Sequence, residues 1–311
     1  MGRLLVRTED NVAVPVRVFE AANKPWADVL VSPAAGVPQH DYSHFAQWLA
    51  QWDLRVVTYD YRGVGEARPR SLRGFPADLH GWAEDARAVV RFVCRAAGRR
   101  PLVLVGHGFG GQLLGLVDEM GWAAGLVMVS PALAQWRHWR SAERLRLLSF
   151  WYSVVPPLTR VLGYLPAWAA NGADLPAGVA RDWSRWARRP DSLLGGEAHV
   201  SERFRRFSAP VLAYSFTDDE LVPPSAVGPL LGGLGTKRLQ HRRVDPTTLG
   251  HGPIGHLGFF RPELAQTLWP ELLSFVRRAV IRESRLRSAW VFPQGRAERR
   301  RSSSDARAAR R

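Results

Sequence analysis

Residues 101–117 read PLVLVGHGFGGQLLGLV. A run of aliphatic residues leads into a glycine-dense turn, and a second apolar stretch follows. That order predicts a buried strand, a tight turn and a helix. The turn reads Gly106, His107, Gly108, Phe109, Gly110. It has the spacing of a nucleophile elbow, in which small residues flank a strained turn that presents a reactive side chain. Gly106 and Gly110 fit the small positions. The central position, where a hydroxyl is expected, is Gly108, which has no side chain to acylate. Glycine adopts positive φ freely, so the turn is expected to keep its shape without its nucleophile.

The same residues also satisfy G-x-G-x-x-G, the dinucleotide-binding fingerprint. Two features oppose that reading. The fingerprint opens the first strand–helix unit of its fold, whereas at least three strand-like runs precede residue 101. The acidic residue expected about 20 positions on is also missing, because the next strand ends Val127-Met128-Val129-Ser130. No nucleotide or other cofactor is expected.

Around the elbow, strand-like runs occupy residues 12–18, 29–31, 55–59, 102–105, 125–129, 211–214 and 239–244. Pro15 suggests that the first lies at a sheet edge. Helical patterns alternate with them. After Pro76, Leu79, Trp82, Ala83, Ala86, Val89, Val90 and Val93 recur at steps of three and four, an amphipathic helix. Residues 41–52 and 112–120 read similarly, and a last helix is expected over 262–281, kinked or split at Pro270. Strands alternating with helices imply an α/β fold: a mainly parallel sheet with helices on both faces.

The alternation stops between 132 and 206. This stretch holds Trp136, Trp139, Trp151, Trp168, Trp183 and Trp186, with Pro156, Pro157, Pro166 and Pro176, and no strand-like run. It reads as an inserted helical cap. Its tryptophans serve either as the cap's own core or as an aromatic roof over a pocket. The expected organisation is a first core part over 1–131, the cap over 132–206, a second core part over 207–281 and an Arg-rich tail over 282–311.

The formal charge is +15, but its location decides its meaning. Residues 281–311 carry ten Arg against Glu283, Glu298 and Asp305, a net of +7. The end of that segment is polar and of low complexity, so it is expected to be a disordered tail with at most weak binding to anionic surfaces. No specific nucleic-acid partner follows. Cys94 is the one cysteine, which excludes an intrachain disulfide and suits a reducing cytoplasm. No signal peptide and no transmembrane segment are expected. The nine histidines form no ligand pattern, so no metal site is expected.

An acid and a histidine should follow an elbow in chain order. After strand 211–214 comes Ser215-Phe216-Thr217-Asp218-Asp219-Glu220-Leu221-Val222-Pro223; Asp219 is the expected acid and Asp218 its alternative. After strand 239–244 lie His251 and His256, and His256, just before the last helix, is the expected base. An oxyanion hole needs two backbone N–H groups. Phe109 would give one, and the loop Ser32-Pro33-Ala34-Ala35-Gly36-Val37 the other, from Ala35 or, next, Gly36. Ser32 and Ser130 are the serines near strand ends that could replace the missing nucleophile.

With these residues in hand, the chain resembles the α/β-hydrolase superfamily. Within it, the match is to the serine-aminopeptidase and monoglyceride-lipase-like branch, including a bacterial group of predicted hydrolases. Besides the elbow, the resemblance rests on Tyr59-Asp60-Tyr61-Arg62-Gly63-Val64-Gly65, Ser71-Leu72-Arg73-Gly74-Phe75, Trp136-Arg137-His138-Trp139, Asp174-Leu175-Pro176-Ala177-Gly178-Val179 and Ile254-Gly255-His256-Leu257-Gly258-Phe259-Phe260-Arg261-Pro262. It spans most of residues 12–280. It implies an α/β-hydrolase fold, an esterase-like hydrolase and a pocket location; the Trp-rich cap suggests a small apolar or acyl-containing ligand, or an aromatic one. The family pattern has serine at position 108. Without it, ordinary serine-hydrolase catalysis is not expected, and three readings stay open: a non-catalytic binding or regulatory protein, a hydrolase that uses water directly, and His/Asp-base lyase or cofactor-free chemistry.

Overall fold

A computed structural model describes residues 2–98, 100–133, 135–170, 172–189 and 198–291. The core strands are β1 (Gly2–Arg7), β2 (Ala13–Phe19), β3 (Ala27–Ser32), β4 (Leu54–Tyr59), β5 (Leu102–His107) and β6 (Gly125–Val129). Two short strands in the cap follow, β7 (Tyr164–Leu165) and β8 (Leu175–Pro176), and then the core strands β9 (Val211–Phe216) and β10 (Leu239–Val244). The core strands form one sheet in the order β1-β2-β4-β3-β5-β6-β9-β10. β1 and β2 pair antiparallel, β2 pairs antiparallel with β4, and all other core pairs are parallel. Every residue of β3, β4, β5, β6 and β9 is buried. This is why their sequences are near-continuous apolar runs: a parallel sheet is covered on both faces.

One face is covered by α1 (Ser43–Gln51) and α10 (Trp269–Val291), whose Phe45, Leu49, Trp269, Leu272 and Val276 pack on one side of the strands. The other face carries α2 (Leu79–Ala97), the short α3 (Phe109–Leu113), α9 (Pro224–Gly232) and the cap. The α2 helix starts where its chemistry dictates: the Asp78 carboxylate accepts from the Gly81 N–H at 2.7 Å, which satisfies an orphan donor of the first turn. Its apolar stripe, Leu79 to Val93, is buried.

The cap consists of α4 (Ser141–Ser149), a π-helical turn over Phe150–Val154, α5 (Val155–Val161), α6 (Ala167–Ala170), α7 (Ala177–Arg188) and α8 (Ala198–Arg206). The β7–β8 pair is a two-residue ladder within it, too short to leave a strand signal in the sequence.

Three expectations need correction. Pro15 is not on an edge strand, because β1 lies outside β2. It is tolerated because β2 joins the β4 ladder only from Val16. Leu4 and Leu5 of β1 are exposed, and its short apolar run Leu4-Leu5-Val6, set between Arg3 and Arg7, is not among the strand-like runs read from the sequence. The last helix is not broken at Pro270. A separate 3-10 turn covers Pro262–Gln266, α10 starts at Trp269, and Pro270 lies in its first turn, where a missing N–H costs nothing. That helix also continues through residues assigned to the tail, to Val291; the rest of the Arg-rich segment lies outside the described residues. Finally, the helical reading of 112–120 breaks into α3 and two 3-10 turns, Leu114–Leu116 and Asp118–Trp122.

Candidate active site

The elbow lies at the C-terminal end of β5, in the middle of the sheet. Gly108 has φ +49 and ψ −116, a backbone state strained for any residue with a Cβ. Its N–H is tied to the Val129 carbonyl at 2.8 Å. The flanking glycines are required by contact. A Cβ on Gly106 would lie 2.5 Å from Gly111 Cα, and one on Gly110 would lie 2.3 Å from the Ser32 carbonyl oxygen. Strand β3 and the elbow therefore approach backbone to backbone.

Asp219 and His256 meet at this point. His256 Nδ1 is 2.9 Å from Asp219 Oδ2, and the other carboxylate oxygen accepts from the Leu221 N–H at 3.0 Å. The Asp219 side chain is fully buried and that of His256 is 18% exposed. Burial pushes the Asp219 carboxyl up. The hydrogen bond and charge of His256 outweigh it, so the group is held ionised below the usual carboxylate range. The far ring nitrogen, Nε2, faces the elbow. An ideal Cβ on Gly108 would lie 2.9 Å from it, with Ala34 Cβ at 3.6 Å on the other side.

Asp218 does a different job from the one held open for it. Its Oδ2 accepts from the N–H groups of Ile254 and Gly255, at 2.8 and 2.9 Å, and so fixes the loop that delivers His256. Gly255 supplies the positive φ, +58, needed just before the histidine.

His107, read only as part of the elbow, is the centre of a second network. Its ring is completely buried, and burial together with the neighbouring His256 pushes its pKa down to about 3. The neutral ring therefore carries one proton. A carbonyl can only accept, so His107 Nε2–H donates to the His256 backbone oxygen at 3.0 Å. Nδ1 then accepts from the Tyr42 hydroxyl at 2.9 Å. That hydroxyl in turn accepts the Ala34 N–H at 2.9 Å. Tyr42 thus joins the loop after β3, the elbow and the histidine loop. Nothing in the spacing of residues 41–52 marks it.

The Ala34 amide is consumed by this network. The N–H of Phe109, first residue of α3, has no partner within the helix. Gly36 holds φ +74, and its carbonyl accepts from the cap residue Ala173 at 2.7 Å. The cap is thereby docked on the loop after β3.

Neither serine near the strand ends is free to act. Ser32 is 1% exposed and its hydroxyl bonds to Tyr59, Tyr61 and the Gly110 carbonyl. Ser130 is fully buried at φ +50. Its hydroxyl helps to hold Asp219 ionised but makes no full hydrogen bond.

The cap tryptophans divide. Trp183 and Trp186 pack on Phe109 with ring centroids 5.1 and 6.2 Å apart, and Trp151 packs on Trp183 at 5.4 Å. Trp82 of α2 closes the group at 6.1 Å from Phe109. Trp168 is exposed. A cavity of about 210 Å³ beside the elbow reaches Tyr42 and His107 between Val37 and Leu257. A larger cleft, about 790 Å³, lies elsewhere, between the start of α2, the cap and the β1–β2 turn; it contains none of the elbow, acid or base residues. Among the described residues no three His, Cys, Asp or Glu side chains group as a metal site.

An eight-stranded, mostly parallel sheet with an elbow, a carboxylate and a histidine after β5, β9 and β10 in chain order defines an α/β-hydrolase fold. Residues 24–245 match the family described as serine aminopeptidase, S33, and the chain belongs to that family. No curated protein matches it. Among solved structures, a monoglyceride lipase from Saccharomyces cerevisiae, in complex with a substrate analogue, is similar at 14% identity. Its TM-score is 0.65, over 86% of this chain and 92% of that one. Est1E from Butyrivibrio proteoclasticus, with ferulic acid bound, is similar at 14% identity and TM-score 0.59, over 89% and 99%. A thermophilic esterase from Thermogutta terrifontis follows at 18% and 0.57, over 90% and 100%. At such identities these likenesses speak to the fold.

Proposed function

We propose that the chain binds an apolar, acyl-containing small molecule at the Gly108 elbow and forms no acyl-enzyme with it. Any turnover runs through His256, supported by Asp219, as a general base on a nucleophile that the protein does not supply. The observation that carries this is the pairing of an intact acid–base dyad with a glycine: His256 Nε2 faces a position that has no hydroxyl.

The chemistry follows from the parts. His256 Nε2 accepts the proton of an attacking group, and the Asp219 carboxylate stabilises the imidazolium that results. The N–H groups of Phe109 and Ala35, or Gly36 in its place, bind the oxyanion that develops on the acyl carbonyl. An oxyanion hole and binding without the covalent route retain roughly 10³–10⁴-fold acceleration over water, far less than an acyl-enzyme mechanism gives. The aromatic group of Phe109, Trp183, Trp186 and Trp151 supports an apolar ligand. So do the neighbours that carry a substrate analogue and ferulic acid.

A second reading, a purely binding or regulatory pseudoenzyme, is favoured by the closeness of His256 to Gly108, which leaves the dyad packed against backbone. Lyase or cofactor-free proton abstraction beside a carbonyl would use the same base and the same hole. The single cysteine and the lack, among the described residues, of a helix long and apolar enough to cross a membrane support a cytoplasmic protein. The Arg-rich tail is assigned only weak binding to anionic surfaces.

A fluorophosphonate probe, which phosphonylates activated serines, tests the absence of an acyl-enzyme route. The chain as it stands should show no adduct by intact mass, and Gly108→Ser should gain one. An adduct on Ser32 or Ser130 of the unaltered chain would overturn the proposal.

A further inference from the structure

Helix α10 outruns the sheet it covers. Its first residue, Trp269, donates its indole N–H to the Phe259 carbonyl at 2.7 Å. Phe259 packs on Tyr214 with ring centroids 5.0 Å apart, and Tyr214 registers with Val129, the last residue of β6. At Ala279 the helix has reached the other end of that strand. A Cβ on Gly125, the first residue of β6, would lie 3.0 Å from Ala279 Cβ. Residues 280–291 therefore run on past the start of β6, over about 18 Å at the helical rise. This end of the sheet is opposite the elbow, which stands at the C-terminal end of β5.

The same end joins cations to exposed apolar side chains. The strands from β4 through β3, β5, β6 and β9 to β10 are all parallel, so the residues just before them share it. Trp52 precedes β4 and is 45% exposed; Trp122 precedes β6 and is 52% exposed. Lys237 and Arg238, both exposed, precede β10. The Arg277 guanidinium lies over the Trp52 ring, 5.7 Å from its centroid. Ile281, 54% exposed, and the exposed Arg285 follow Arg277 at four-residue steps on one helix face. From Arg277 to Val291 the helix carries five arginines against Glu283. Residues 292–311, which follow it directly, add seven arginines against Glu298 and Asp305.

We infer that this end of the molecule is a docking surface for an anionic lipid bilayer, on which the chain lies with its elbow and cap turned away from the lipid. The cations supply the attraction, about fivefold in affinity for each Lys or Arg near an anionic leaflet. Tryptophan favours the headgroup level of a bilayer, and Trp52 stands there beneath Arg277. Ile281, set between arginines, gains by leaving water. A phosphate backbone of a nucleic acid would use the charge and leave Ile281 exposed. Interfacial helices combine charge with apolar contact; the Arg-rich tail brings only the first, and α10 brings both. Among the described residues no helix is long and apolar enough to cross the bilayer, so the contact is made at its surface. The cap also exposes an apolar ring, Trp168, but the arginines of 277–311 belong to the opposite end.

The test sediments the full chain with sucrose-loaded vesicles of phosphatidylserine and phosphatidylcholine, beside vesicles of phosphatidylcholine alone. Binding should require phosphatidylserine and weaken as salt screens the charges. Arg278→Gln combined with Arg285→Gln should reduce the affinity roughly 25-fold, about fivefold for each charge. Ile281→Ser, which alters no charge, should reduce it roughly tenfold. Trp168→Ala should leave it unchanged. Three results would each overturn the inference: no binding to phosphatidylserine vesicles, equal binding to phosphatidylcholine alone, or α10 variants that bind as the unaltered chain does. Binding lost in Trp168→Ala would move the contact to the cap. An affinity for poly-uridylate that exceeds the vesicle affinity and ignores Ile281→Ser would make this end a nucleic-acid face, and would overturn the inference as well.

Discussion

Gly108 and His256 are closer than an elbow residue with a side chain would allow. A Cβ on Gly108 would stand 2.9 Å from Nε2, nearer than Cβ atoms come to their neighbours. Adding one therefore has two costs: the positive φ, of the order of 1–3 kcal/mol, and a shift of the imidazole by a few tenths of an ångström. Gly108→Ala should lose about 1–3 kcal/mol in urea unfolding while keeping the fold by circular dichroism. Unchanged stability would mean that the turn is not held as described.

The neighbouring glycines should be far less tolerant. The atoms a Cβ would meet at Gly106 and Gly110 are backbone, Gly111 Cα at 2.5 Å and the Ser32 and Pro33 carbonyl oxygens at 2.3 and 2.4 Å. Backbone cannot rotate away as a side chain does. Gly110→Ala is expected to give insoluble protein, or a melting temperature lower than that of Gly108→Ala. A well-folded Gly110→Ala protein would be incompatible with this approach of β3 to the elbow.

How much of this was legible in the sequence differs from element to element. The buried parallel strands were readable because burial on both faces writes an unbroken apolar run, as in Leu102 to Val105. The edge strand β1, with Leu4 and Leu5 turned to solvent, carries only the short run Leu4-Leu5-Val6 between two arginines. Chain order and their places after β9 and β10 single out Asp219 and His256, which lie 2.9 Å apart. The Tyr42–His107 network was not legible, because it joins residues 65 positions apart and neither stands in a pattern. Asp218 and Asp219 are adjacent and chemically alike. Only the direction of each carboxylate, one to the Ile254 and Gly255 amides and one to His256, divides their roles.

That division can be measured in a Gly108→Ser background. Adding Asp219→Asn removes the charge that supports the imidazolium and should lower ester turnover by on the order of 10⁴-fold with the fold intact. Adding Asp218→Ala strands two amides and should act first on stability, by about 1–3 kcal/mol. If the two variants exchange these effects, the assignment of acid and anchor is reversed.

His107 gives a stability-versus-pH signature. Its folded pKa is pushed down to about 3 by burial, against about 6.5 in an unfolded chain. Between those values the unfolded state binds the proton and the folded state does not. The stabilisation is therefore complete above pH 6.5 and is lost progressively as pH falls toward 3. From pH 7.5 to pH 5 the loss from this residue is about 2 kcal/mol. Urea midpoints at the two pH values should show it, and His107→Gln should flatten the difference. A difference that persists undiminished in that variant would remove His107 as its source.

The measurement closest to the central claim is hydrolysis of p-nitrophenyl acetate and butyrate in buffer. It compares the unaltered chain, Gly108→Ser, and Gly108→Ser combined with His256→Ala. The expected result is turnover by Gly108→Ser alone, lost again when His256 is removed: a complete serine-hydrolase site lacking one hydroxyl. Ordinary serine-hydrolase rates from the unaltered chain, or a Gly108→Ser activity indifferent to His256, would contradict it.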